Sequence, residues 1–213
     1  MAAIGENLKI NGARLWDSLM EMAKIGPGIA GGNNRQTVTD EDGEGRALFQ
    51  SWCEAAGCTM GLDQMGNMFA HRAGTEPDAL PVYVGSHLDT QPTGGKYDGV
   101  LGVLSGLEII RTLNDLDIKT KHPIVVTNFT NEEGTRYAPA MLSSGVFAGL
   151  HTQDWAYDRV DAVVVRKPLI EKGIIGINQL TDWAVLTNQM GEVTLRFEWQ
   201  VEVKKVIVAR VQL

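Results

Sequence analysis

Five side chains in three short stretches have the types and spacing for hydrolytic chemistry: His87 with Asp89, Asp98, and Glu132 with Glu133. In extended backbone, residues i and i+2 face the same way, so the Asp89 carboxylate can meet the His87 ring. A metal-bound imidazole usually gives its other ring N–H to a carboxylate, which would make His87 a ligand and Asp89 its support. An exposed ion pair is the plainer account of the same two residues. Asp98 closes the stretch Thr93-Gly94-Gly95-Lys96-Tyr97-Asp98-Gly99. It could cap a following helix, or its two oxygens could bridge two cations ~4 Å apart. Glu132 and Glu133 are adjacent carboxylates at the end of an apolar run, where burial makes their mutual repulsion more costly. A nearby cation would remove that penalty for one glutamate and leave the other to take a proton from water. Extended neighbours point to opposite sides, which would divide the roles in that way; an exposed acidic turn is the alternative. Carboxylate and imidazole without thiolate suit zinc, manganese or cobalt. The sequence has neither a phosphate-cradling Gly-rich loop with Lys and Ser/Thr in the right form nor a Gly-x-Ser-x-Gly elbow.

These groups need elements to position them. Leu8 to Met22 has apolar residues at helical spacing and stops at Gly26-Pro27-Gly28. Thr39, with Asp42 three residues on, signals the start of a second helix that runs to Gly57. Cys58 to Leu62 and Asn67 to His71 are short strands joined by Asp63-Gln64-Met65-Gly66, and Leu80 to Gly85 is a third that ends at Ser86-His87. Gly99 to Leu116 is a buried helix, Pro123 to Phe129 a further strand, and Ala138 to Leu150 another helix or helical turn. Strand, helix, strand with continuous apolar strands implies an α/β fold with a mostly parallel sheet covered on both faces. Both polar clusters start where a strand stops, the end at which open α/β sheets bind ligands.

The net charge of −7 argues against nucleic acid as a partner, because a phosphate backbone needs a Lys/Arg footprint. No stretch approaches ~18 apolar residues, so no membrane span is expected, and Met1 to Asn11 shows no secretory pattern. Cys53 and Cys58 are expected to be small buried residues in a reducing cytoplasm. The composition changes near residue 162: 12 Lys/Arg against 21 Asp/Glu before it, 7 against 5 from residue 163 onward. Alternating apolar and polar residues at 193–203, and a second such run at 206–211, imply half-buried strands. Residues 1–161 and 162–213 are therefore read as separate parts, the second a β-rich tail.

Gly85-Ser86-His87-Leu88-Asp89-Thr90, Gly95-Lys96-Tyr97-Asp98-Gly99-Val100-Leu101-Gly102-Val103 and Thr130-Asn131-Glu132-Glu133-Gly134 together resemble the zinc-dependent amidases of the aminoacylase/metallocarboxypeptidase clan. Within that clan the chain is similar to the branch of N-carbamoyl-L-amino-acid hydrolase, β-ureidopropionase and allantoate amidohydrolase. Asn67-Met68-Phe69-Ala70 and the stretch from Arg136 to Gly149 add to the likeness, which covers roughly residues 6–161. The resemblance implies an incomplete zinc-exopeptidase-like catalytic domain with two divalent metal ions, zinc foremost and manganese or cobalt as alternatives. It implies His87 on one metal, Asp98 bridging both, Glu133 on the second, Asp89 orienting His87 and Glu132 as general base. The implied reaction is hydrolysis of the ureido bond of an N-carbamoyl amino acid, with a small molecule as partner, in the cytoplasm.

Family members are about twice as long and homodimeric, with a lid and dimerisation domain and a histidine for each metal from later in the chain. The histidines here are His71, His87, His122 and His151. Leu169-Ile170-Glu171-Lys172-Gly173 stands where the first later histidine motif would be sought, without its imidazole. A truncated, weakly active or inactive amidohydrolase is thus the expectation. The competing readings are a non-catalytic metal-binding or interaction remnant, and an allantoate amidohydrolase or aminoacylase-type metallopeptidase.

Overall fold

A computed structural model of the chain describes residues 8–76 and 78–159. The charge boundary near 162 and the alternating runs at 193–203 and 206–211 lie outside the described residues.

The first helix, α1 (Gly12–Met22), starts where the Asn11 side chain accepts from the Arg14 amide. The second, α2 (Asp40–Ala55), starts as its sequence signal implies: Thr39 Oγ1 accepts from the Asp42 amide, and the Asp42 carboxylate accepts in turn from the Val38 amide at 2.8 Å. Strands β1 (Thr59–Leu62) and β2 (Met68–Arg72) form a hairpin across the Asp63 turn. Then come β3 (Val82–His87), α3 (Val100–Asp115), β4 (Ile124–Phe129), and the short helices α4 (Leu142–Phe147) and α5 (Gln153–Arg159).

The α/β class holds, as a sheet flanked by helices. Its described strands are mixed in direction, however, where the sequence pattern implies mostly parallel ones. In the order β1-β2-β4-β3, only β3 and β4 run parallel; β1 with β2, and β2 with β4, are antiparallel. For the two pairs joined by one connection, β1 with β2 and β3 with β4, the cause is connection length. A tight turn can only return the chain antiparallel, whereas β3 reaches β4 through α3, the kind of crossover a parallel pair needs.

Strand alternation divides the apolar residues between two faces. Met68, Ala70, Ile124 and Val126 share one core with Leu19 and Met22 of α1, Phe49 and Cys53 of α2, and Leu104 and Leu107 of α3. On the opposite face Phe69, Tyr83 and Phe129 gather around Phe147 of α4, with ring centroids 5.4–5.6 Å from it. Gly106 lets α3 lie close on the sheet, since a Cβ there would stand 2.9 Å from Val126. Arg14 ties α1 to α3 by a forked pair of 2.8 Å bonds to Glu108. Burial alone would raise the Glu108 carboxyl; Arg14, the Asn11 amide and Thr112 outweigh it and hold the group below the ordinary range. Cys53 and Cys58 are free and buried, as expected, and burial pushes the Cys58 thiol up to about 11. Among the described residues no helix is long and apolar enough to cross a membrane.

The β1–β2 turn contains a buried titratable group. Asp63 accepts from the Met65 and Asn67 amides at 2.9 Å and from Asn67 Nδ2 at 2.7 Å. Burial pushes its carboxyl from 3.8 up to about 6 against the pull of these donors and Arg46. The folded chain therefore binds this proton more tightly than the unfolded one. The resulting stabilisation is complete below about 3.8 and lost as pH rises through about 6. A carboxyl titration followed by NMR is expected to show a midpoint near 6 for Asp63; a midpoint at or below the ordinary value would refute this.

Candidate metal centre

Parallel pairing of β3 with β4 sets His87, the last residue of β3, opposite Phe129, the last of β4. The carboxyl ends of both strands thus open on one rim, and the residues just beyond them, 88–90 and 130–133, must share it. The start of α3 approaches the same rim. At Gly99, with φ 68°, a Cβ would stand 2.4 Å from His87 Nε2, so only glycine lets the ring sit there.

His87 is buried, at 4% exposure. Its Nδ1 lies 2.8 Å from the Asp89 backbone carbonyl, an acceptor that makes Nδ1 the protonated nitrogen and turns Nε2 toward the carboxylates. Glu132 Oε2 is 3.2 Å and Asp98 Oδ1 3.9 Å from Nε2. His87, Glu132 and Glu133 each present a ligand atom within 4.8 Å of the others. Gln91 Nε2 donates to Glu133 Oε2 at 2.8 Å.

Asp89 orients His87, but not by the route the sequence implies. The carbonyl holds the ring, while the carboxylate stands 3.7 Å from Nδ1 and accepts from the Glu132 and Glu133 amides at 3.3 and 3.2 Å. One residue therefore grips both halves of the site. Burial pushes the Asp89 carboxyl above its ordinary range; His87 and the two amides oppose this.

The glutamates differ from expectation in backbone. They do not continue β4 as extended neighbours. Asn131 takes a left-handed conformation, φ 56°, and the chain turns at once. Both carboxylates consequently face His87 instead of opposite sides, and their separate roles must come from position around the ring. At Asp98 the capping alternative finds no support, because the N-cap of α3 is Gly99, with no side-chain cap bond.

Several supporting residues escaped the sequence reading. Arg35, fully buried, donates from Nε to the Leu88 carbonyl at 2.9 Å, and its backbone exchanges two hydrogen bonds with Thr90. It fastens the segment that carries His87 and Asp89 to the loop after α1. Only the spacing of Gln91 from Asp89, two residues on, could have suggested its place. The other histidines sit elsewhere: His122 is bonded to the Leu80 carbonyl, His151 stacks on Trp155 at 3.9 Å, and His71 lies within β2.

One imidazole nitrogen facing three carboxylates, with no thiolate among them, is a donor set that fits a hard or borderline divalent cation. It would also relieve the crowding of negative charge on this rim. The residues present therefore fit the metal that the resemblance implies.

The chain is similar to known proteins in both sequence and fold. The model of peptidase family M20/M25/M40 matches residues 83–210. The N-carbamoyl-L-amino-acid amidohydrolase of Rhizobium meliloti is 77% identical over 161 residues, 76% of this chain and 39% of the relative. That of Geobacillus stearothermophilus is 43% identical over 140 residues, 66% of this chain and 34% of the relative. The crystal structure of a hydantoinase/carbamoylase family amidase from Burkholderia ambifaria superposes with a TM-score of 0.76 at 49% identity, covering 81% of this chain and 43% of that one. The chain thus spans 39% or less of the length of these two curated relatives.

Proposed function

The chain belongs to peptidase family M20/M25/M40, and from that premise we propose that it is a metal-dependent amidohydrolase of N-carbamoyl amino acids. The observation that carries the reading is the convergence of His87, Glu132 and Glu133 within 4.8 Å, with Asp98 beside them. The substrate class rests on the relatives named for N-carbamoyl-L-amino acids.

His87, Asp98 and Glu133 would hold two divalent cations, zinc foremost. Bound there, the cations supply Lewis acidity toward water and the carbamoyl carbonyl. Glu132 takes the proton as water adds to the carbonyl carbon. It returns that proton to the amino-acid nitrogen as that C–N bond breaks, releasing the amino acid and carbamic acid. The carbamic acid then loses its own C–N bond in water to give carbon dioxide and ammonia. Asp89 keeps the ring and both glutamates in register during these transfers. Among the described residues His87 alone brings an imidazole to the rim, and a cation on one imidazole plus carboxylates is held weakly. We therefore place turnover by this chain below the ~1–10³ per second of typical enzymes.

The test is ammonia release from N-carbamoyl-L-amino acids with added zinc, manganese or cobalt. Slow release is expected, with Glu132→Gln lowering it by about 10²–10⁴-fold while cation uptake persists. Undiminished release in that variant would remove Glu132 from its role. Release at the typical rate would overturn the weak-turnover clause. Cleavage of N-acyl amino acids or dipeptides in place of carbamoyl compounds would favour an aminoacylase-type activity.

A further inference from the structure

We infer that Thr130 is the anchor that positions Glu132 and Glu133, and that Asn67, Arg46 and Ser143 are positioning residues acting through it. The inference rests on the reading that the two glutamates perform the chemistry. Thr130 is the first residue beyond β4, where the strand ladder no longer fixes the backbone. All of its polar groups are taken, each by a different element. Its N–H donates to Asn67 Oδ1 at 2.9 Å, from the β1–β2 turn. Its Oγ1 accepts from Arg46 Nη2 at 2.9 Å, from α2. Its carbonyl accepts from Ser143 Oγ, from α4. Thr130, Asn67, Arg46 and Ser143 are each 1% exposed or less.

The holders are themselves held. Asp42 receives Arg46 Nε at 3.0 and 3.1 Å, and Asp63 receives Asn67 Nδ2 at 2.7 Å. A buried network with its members satisfied admits one geometry and resists others. Downstream, the Met141 amide donates to the Glu132 carbonyl at 2.7 Å, and Asp89 accepts from both glutamate amides. The glutamate pair is therefore bracketed: Thr130 behind, Asp89 across its amides, Met141 ahead. Only Asn131 separates the anchor from the base, and a displacement of about 1 Å at a reacting group can cost about 10²-fold in rate. This assignment also gives a role to the Asn67 stretch and to part of the Arg136–Gly149 stretch, neither of which carries one of the five candidate site residues.

The experiment is amide hydrogen exchange by NMR on the full chain. It compares wild type with Thr130→Val, which keeps the shape and loses the oxygen, with Thr130→Ser, which keeps the oxygen, and with Ser143→Ala. Thr130→Val is expected to speed exchange at the Glu132 and Glu133 amides by about tenfold, the factor for one lost hydrogen bond. The β4 amides of Val125 to Thr127 should stay within about twofold of wild type, and Thr130→Ser should restore protection at the glutamates. Ser143→Ala is expected to act as Thr130→Val does, and it decides the matter if Thr130→Val fails to fold. Wild-type exchange at Glu132 and Glu133 in the folded variants would overturn the inference. Exchange needs no cation, so a wild-type chain that takes up no zinc would defeat the proposed function while the anchor is still judged by its own result.

Discussion

Replacing Arg46 with methionine is expected to destabilise the chain by about 3–5 kcal/mol, the usual cost of removing one partner from a buried ion pair. Arg46 and Asp42 are 1% and 0% exposed, and the guanidinium also serves the Gly66 carbonyl and Thr130 Oγ1. Methionine fills most of the volume but strands the Asp42 carboxylate in the core with only the Val38 amide as donor among these bonds. A domain of this size has only about 5–15 kcal/mol to lose. Adding Asp42→Asn should restore part of the loss, because the stranded group then carries no charge and can still accept from Val38. Denaturant unfolding measures both. A loss below about 1 kcal/mol for Arg46→Met, the range of an exposed pair, would show that the pair is not desolvated as described.

His87→Ala is expected to lower zinc affinity by about 100-fold or more, since loss of an outer partner alone costs about 10–100-fold. The ring is the one nitrogen donor at the rim among the described residues, and the Asp89 carbonyl fixes which nitrogen faces Glu132 and Asp98. His122→Ala provides the control: that ring is half-buried, bonded to the Leu80 carbonyl, and its removal should leave affinity unchanged. Titration calorimetry with zinc separates the two variants. Equal affinity in wild type and His87→Ala would place the cation elsewhere.

Much of this was legible in the sequence. The helices and strands announce themselves through capping residues, apolar periodicity and glycine stops, signals that act over a few neighbouring positions. Two of the candidate clusters, at His87-Asp89 and Glu132-Glu133, could be located for the same reason, because each sits where an apolar strand ends and a polar turn begins. Asp98 stands just ahead of α3 and was singled out by its residue type and flanking glycines. Strand direction was not legible. An apolar run of strand length has the same composition whether its neighbour runs with it or against it, and only the hairpin at Asp63 and the crossover through α3 decide between them.

The separate duties of Asp89 were also beyond the sequence. Residue spacing brings its side chain near His87, but the backbone carbonyl reaches the ring first, and the carboxylate is claimed by amides 43 and 44 positions away. The Thr130 anchor is of the same kind, assembled from partners 13, 63 and 84 positions distant. Residue types and local spacing determined which groups could do chemistry and where along the chain they stand. Tertiary structure alone decided which of them meet and which atoms hold them, because a hydrogen bond is formed by neighbours in space, and packing chooses those neighbours.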